Sequence, residues 1–188
     1  MESHYTKIAK RVIELSGGKN ALNAETEKAL EEFNARWDQN IESMGRILRS
    51  HLVLEYYITK CLKALNPNLD NLDRARLTFN QKFELIKPYS IETEVLAVGI
   101  KRLNKIRNRL AHTLEETVNE QDAEIFLSIE YFRSLREALA KPHLPSSDSL
   151  DVLEDFAKFA SQWLDSLSNP NSLSKRFEQA FSELGTET

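Results

Sequence analysis

An arginine and a histidine five positions apart are the residues of this chain best suited to doing chemistry together. They lie in the string Arg107-Asn108-Arg109-Leu110-Ala111-His112. Arginine can hold a phosphate through two parallel hydrogen bonds and stabilise the charge of a pentavalent transition state. Histidine, with an ordinary pKa of about 6.5, can accept the proton of a ribose 2′-hydroxyl or protonate a leaving 5′-oxygen. The pair suits metal-independent RNA cleavage that leaves a 2′,3′-cyclic phosphate.

The spacing of the pair is only weakly specific. The chain holds a second arginine followed by histidine at the same distance, Arg46 and His51. Asparagine directly follows only Arg107, and this extra requirement lowers the rate of accidental matches to about 2%. We interpret the second match as coincidence, although Arg46, Arg49 and His51 could line the same groove.

Basic residues are concentrated around the pair, within a protein that is acidic as a whole. The chain has 25 basic and 29 acidic side chains, a net charge of −4. Residues 95–114 contain no acid and five basic residues: Lys101, Arg102, Lys105, Arg107 and Arg109. One basic helix in an acidic protein indicates a phosphate-bearing partner at that helix. The alternative is a solvated lysine and arginine face.

Helical geometry places the two residues on different faces. The spacing predicts a buried stripe of Leu96, Gly99, Ile100, Leu103, Ile106 and Leu110, and an opposite polar face of Lys101, Lys105, Asn108 and His112. Arg107 lies at the edge of the stripe. Arg107 and His112 diverge by about 140° and about 7.5 Å on an ideal helix. One phosphate can reach both only if the helix ends between them, or if a twofold dimer supplies second copies.

The elements that position these residues are predicted to be all α-helical. Five glycines and five prolines fall mostly between long segments of helical periodicity. These segments predict helices over about 4–16, 23–65, 73–87, 91–111, 119–140, 150–167 and 173–184. The second segment is either one long helix or two with a break near Gly45. Its expected buried face comprises Leu30, Phe33, Trp37, Ile41, Met44, Leu48, Leu52, Tyr56, Cys61, Leu62 and Leu65.

Composition predicts a protein of the cytoplasm. No apolar run approaches the roughly 20 residues of a membrane span, and the amino terminus lacks a secretory signal pattern. The single cysteine, Cys61, excludes an internal disulfide, and we interpret it as a core residue. The four histidines show no metal-ligand spacing, so we expect neither a metal nor another cofactor.

The motif and the segment before it resemble the HEPN superfamily. The segment reads Leu77-Thr78-Phe79-Asn80-Gln81-Lys82-Phe83-Glu84-Leu85-Ile86, and within the superfamily the chain is most similar to uncharacterised helical domains related to the mannitol operon repressor. The resemblance covers about residues 48–140. It implies a HEPN-like bundle of long antiparallel helices that dimerises so that two motifs face one cleft. We predict an extension at 1–45, the core at 46–141, and a second extension at 142–188, packed on the core or on a dimer mate.

The resemblance implies a metal-independent endoribonuclease acting as a toxin or antiviral effector. His112 would be the general acid and base, Arg107 the phosphate clamp, and Asn108 would orient them. The expected RNA contacts are Lys101, Arg102, Lys105 and Arg109. Partners would be RNA, a second copy of the chain, and an antitoxin or regulatory protein. The alternative is a non-catalytic module that binds a nucleotide, a nucleic acid or a protein.

A purely structural interpretation of the motif is also open. Arg107 would then pair with Glu84, Glu115 or Glu116. His112 would sit at a helix end, where a cation suits the helix dipole.

Overall fold

The computed structural model describes residues 3–38, 41–68, 74–86, 91–112 and 117–184, without the side chains of residues 91, 92, 174 and 178. Over these ranges the fold is all-α, as predicted, and contains no strand. Its helices are α1 (His4–Leu15), α2 (Lys19–Trp37), α3 (Ile41–Leu65), α4 (Phe79–Ile86), α5 (Ile91–Leu110), α6 (Glu120–Leu127), α7 (Glu130–Ala140), α8 (Ser149–Ser168) and α9 (Leu173–Leu184).

The chain divides into two compact units, Met1–Ile41 and Glu42–Thr188. In the first unit α1 and α2 are joined by Gly17 and Gly18, whose positive φ angles of 80° and 111° favour glycine. Neither α1 nor α2 contains a buried residue. The second unit holds the core and the Arg107 motif.

The core of the second unit is built from α3 to α8. Its largest buried side chains include Phe83 on α4, Phe126 on α6, Phe132 on α7 and Phe156 on α8. Phe156 stacks on Phe126 with ring centroids 4.8 Å apart and meets Phe132 edge-on. Helix α8, which the sequence analysis placed in an extension, therefore contributes to the centre of this core.

Helix α3 buries Cys61 and Leu62 as predicted, but over residues 47–58 it buries a different face from the one predicted. Ile47, Leu54 and Ile58 are fully buried, whereas Leu52 and Tyr56 are each 63% exposed. The other misassigned core positions are exposed as well: Leu30, Phe33, Trp37, Ile41 and Leu48. The positions on α3 were wrongly predicted because this helix carries two apolar stripes with the same helical spacing, and periodicity alone cannot choose between them. The positions Leu30, Phe33 and Trp37 lie instead on α2, which contains no buried residue.

Three helix boundaries also differ from the predictions. The long segment breaks after Trp37 and not at Gly45, which lies inside α3. Helix α4 begins only at Phe79, because Thr78 and Gln81 form a reciprocal capping box. The single helix predicted over 119–140 is two, α6 and α7, because Ile129 adopts extended backbone angles between them.

Two helical glycines provide a matched test of this packing. An added Cβ at Gly45 meets nothing within 4 Å, whereas at Gly99 it would overlap the ring of Phe156. We expect Gly45→Ala to raise the free energy of unfolding by about 0.5–1 kcal/mol, the helix-propensity gain. Gly99→Ala should lower it by about 1–3 kcal/mol, because the buried ring cannot move away. Urea unfolding measures both, and equal effects of the two substitutions would contradict this arrangement of α5 and α8.

Candidate functional site at the end of helix α5

The helix that carries the motif ends between Arg107 and His112. Helix α5 stops at Leu110, and the backbone N–H of His112 bonds to the carbonyl of Arg109 at 2.9 Å in a tight turn. Leu96, Ile100 and Ile106 are buried, in agreement with the predicted stripe. The end of α5 therefore lies between Arg107 and His112. This is the condition stated above for one ligand to reach both side chains within a single chain.

The buried carboxylate of Asp122 holds two of the arginines of α5. Asp122 is fully buried and binds the guanidinium groups of both Arg102 and Arg109, the latter at 2.7 Å. It also completes a capping box with Asn119 at the start of α6. Arg102 and Arg109 were both predicted RNA contacts. A phosphate bound by either one would have to compete with Asp122.

Arg107 differs from the other partly buried arginines of this unit. Arg46 pairs with Asp151 and Glu154, Arg136 pairs with Asp155 at 2.9 Å, and Arg102 and Arg109 share Asp122. Within the described ranges, no carboxylate lies at ion-pair distance from Arg107. Its Nη1 donates instead to the neutral side chain of Asn108 at 3.3 Å. A partly buried guanidinium without a counterion favours an anionic ligand.

Glu84 does not pair with Arg107, as one of the structural interpretations of this arginine would require. Glu84, one of its three suggested partners, binds Lys101 at 2.6 Å instead. The other two, Glu115 and Glu116, lie outside the described residues. The Lys101–Glu84 pair is about half-exposed, and such pairs contribute little to stability. Lys101 can therefore exchange this partner for a phosphate at small cost.

The remaining predicted residues are solvent-exposed around Arg107. Lys105, Asn108 and His112 are all exposed, as expected for the polar face of α5. Lys105 forms no ion pair with any residue that the structure describes. The arrangement therefore places an exposed amide, an exposed imidazole and two exposed lysines, Lys101 and Lys105, near the partly buried Arg107.

Three polar side chains, His51, Asn104 and Asn80, form a hydrogen-bonded cluster that was not predicted from the sequence. His51 on α3 is only 5% exposed, and its Nε2 lies 3.0 Å from Oδ1 of Asn104 on α5. Asn104 in turn donates to Oδ1 of Asn80 on α4 at 3.1 Å. Burial has the largest effect and lowers the pKa of His51; the hydrogen bond to Asn104 and the charge of Glu55 raise it, and the charge of Arg107 lowers it by a smaller amount. The sequence signal for His51 was the second arginine–histidine match, Arg46 and His51. In the structure the two side chains contact different helices.

The other half of that match is structural. Arg46 points to Asp151 and Glu154 on α8, and its guanidinium holds the pKa of the Glu154 carboxyl below the usual range. Cys61 is fully buried, as predicted, and burial raises the pKa of its thiol to about 11. Such a thiol is a poor nucleophile.

The described residues contain neither a candidate metal site nor a helix that could cross a membrane. They contain no group of three or more His, Cys, Asp or Glu side chains placed to hold a metal ion. None of their helices combines the length and apolarity needed to cross a membrane. Comparison with known proteins adds nothing, since no family model, curated protein or solved structure matches the chain.

The contrast between Asp122 and Arg107 gives a direct stability test. Asp122→Ala leaves two partly buried guanidinium groups without their carboxylate, and we expect a loss of about 3–5 kcal/mol in unfolding free energy. Arg107→Ala removes no ion pair and should change it by less than about 1 kcal/mol. Chemical denaturation of both variants measures the difference. A loss for Arg107→Ala as large as that for Asp122→Ala would show that Arg107 is a structural residue.

Proposed function

We propose that this protein is a metal-independent endoribonuclease of the HEPN type. The observation that carries the proposal is the partly buried Arg107 guanidinium, which has no carboxylate partner among the described residues. Among the described residues, the other partly buried arginines have carboxylate partners and Arg107 has none, which favours an anion at this position. The phosphodiester of RNA supplies that anion, and His112 follows five residues later, just beyond the end of α5.

The proposed reaction divides the chemistry among three side chains. Arg107 binds the non-bridging phosphate oxygens, and Asn108 fixes the orientation of the guanidinium through the 3.3 Å hydrogen bond. His112 accepts the proton of the 2′-hydroxyl as the 2′-oxygen forms its bond to phosphorus. The bond from phosphorus to the 5′-oxygen breaks, and a protonated imidazole gives that oxygen its proton. The products are a 2′,3′-cyclic phosphate and a 5′-hydroxyl.

A homodimer supplies the second imidazole. One neutral His112 cannot act as base and acid in the same step, whereas a twofold axis repeats each group in a shared groove. The exposed stripe of Leu48, Leu52 and Tyr56 on α3 offers apolar surface for a second copy. Lys101 and Lys105 would then steer the RNA backbone into the groove. We propose a role as a toxin or antiviral effector in the cytoplasm, controlled by an antitoxin or regulatory protein.

The cleavage test uses labelled single-stranded RNA in the presence of EDTA. We expect the wild-type protein to produce cyclic-phosphate ends, because the chemistry needs no metal. His112→Ala should abolish cutting and retain RNA binding, whereas Arg107→Ala should reduce both. Matched controls are Arg133→Ala and His143→Ala, which remove an exposed arginine and an exposed histidine elsewhere in the same unit. Both controls should cut normally.

The outcomes separate the two candidate functions. Salt-sensitive RNA binding that depends on Arg107, without any cutting, would select the non-catalytic binding module. The exposure of His112 favours that alternative, because no side-chain hydrogen bond within the described part of the chain orients its ring. No binding and no cutting by the wild-type protein would contradict both functions.

The dimer is tested separately by analytical ultracentrifugation. We expect the wild-type protein to sediment as a dimer and Leu52→Glu to sediment as a monomer, because a charge within the α3 stripe disfavours its burial. Leu139→Glu is the control, since Leu139 on α7 is also highly exposed but lies outside that stripe. A monomeric wild-type protein with full cleavage activity would contradict the shared groove.

A further inference from the structure

His51 is a buried histidine that the proposed reaction does not use. Its ring stacks on Phe79 of α4, with centroids 4.5 Å apart, and its Nε2 faces Asn104 of α5. Only Nε2–H donation satisfies this contact, because the Asn104 amide nitrogen donates to Asn80 and leaves its oxygen to accept. His51 is thus the donor that fixes the Asn104 side chain between three helices.

Asn104 shares a helix face with the candidate site. It lies three residues before Arg107 and four before Asn108, and residues at these spacings are neighbours on a helix surface. The apolar neighbours of Asn104, Leu103 and Ile106, pack without directional bonds. The hydrogen bonds of Asn104 to α3 and α4 are directional contacts on the face of α5 next to Arg107, in addition to those that Asp122 makes with Arg102 and Arg109.

Among the described residues, Arg107 is the cation near this cluster that has no carboxylate partner. On α3, Glu55 faces Nδ1 of His51 at 4.0 Å, but Lys82 of α4 holds the Glu55 carboxylate at 2.8 Å. Burial lowers the pKa of His51, so its imidazole is neutral near pH 7 and can serve as a simple donor. The Lys82–Glu55 pair and the neutral ring of His51 add no net charge, so the net charge that the described residues bring to the cluster is that of Arg107 on α5.

We propose that His51 is a positioning residue of the Arg107 site, acting through Asn104. Its Nε2–H holds Asn104, and Asn104 sets the rotation of α5 that presents Arg107 and Asn108 to the ligand. His51 neither touches the phosphate nor exchanges a proton with it. The proposal rests on the proposed role of Arg107 in binding phosphate. It adds the hydrogen bond from His51 to Asn104 as the contact that positions Arg107.

The test compares two substitutions at one position with a matched control. His51→Gln retains an N–H that can donate to Asn104, whereas His51→Leu removes the donor and keeps an apolar side chain of useful size. Ile58→Ala is the control, because Ile58 is fully buried on the same helix and destabilises the fold when truncated without contributing to the polar cluster. All variants are measured at a temperature where unfolding curves show them to be folded.

The first readout is the NMR signal of the Arg107 Nε–H group, assigned by its loss in Arg107→Lys. We expect His51→Leu to shift and broaden this signal, and His51→Gln and Ile58→Ala to leave it close to the wild-type position. A signal that responds to His51→Leu no more than to Ile58→Ala overturns the proposal. This readout reports Arg107 directly, so it decides the proposal even if the protein proves not to cut RNA.

The second readout is the rate of RNA cleavage. His51→Leu should cut about 10- to 100-fold more slowly, since small misplacements of a catalytic group have effects of this size. His51→Gln should remain within about threefold of the wild-type rate, because a donor and not a titrating group is required. A wild-type-like rate for His51→Leu, or an inactive His51→Gln, overturns the positioning role. Absence of cleavage by the wild-type protein would instead contradict the proposed function.

Discussion

The ion pairs of Asp122 are the interaction on which the candidate site depends. This one buried carboxylate binds Arg102 and Arg109 and caps α6, so it joins the second half of α5 to the rest of the core. Removing a buried charge from water is costly unless partners compensate it, and two guanidinium groups do so here. Because Asp122 engages these two arginines, Arg107 is the arginine of α5 without a carboxylate partner among the described residues, and so the one we propose for ligand binding.

The residues before and after Arg107 also have separate structural roles. The end of α5 at Leu110 carries His112 beyond the helix, while Asn104 anchors the preceding turn against α3 and α4. The buried apolar side chains of α5 pack against the core, and the hydrogen bonds of the Asn104 amide orient this part of the helix relative to α3 and α4. The proposed ligand-binding face is therefore a set of polar side chains on a helix that Asn104 links to α3 and α4.

Sequence reasoning was most successful where one periodic signal dominated. The all-α class, the buried stripe of α5 and the interior position of Cys61 followed from spacing and composition. It failed on α3, where two equivalent apolar stripes competed, and it placed Arg102 and Arg109 on an RNA surface without foreseeing Asp122. Ion-pair partners 13 and 20 residues apart leave no periodic trace, so only the folded arrangement distinguishes the paired arginines from Arg107.

The central claim, that Arg107 binds a phosphate, is tested most directly by the salt dependence of RNA affinity. The probe is a single-stranded RNA whose 2′-hydroxyls are methylated, so that it binds without being cut. We expect the slope of log affinity against log salt to decrease in magnitude by about 0.7 in Arg107→Ala, the contribution of one phosphate contact to a single strand. An unchanged slope and an unchanged affinity would contradict the account.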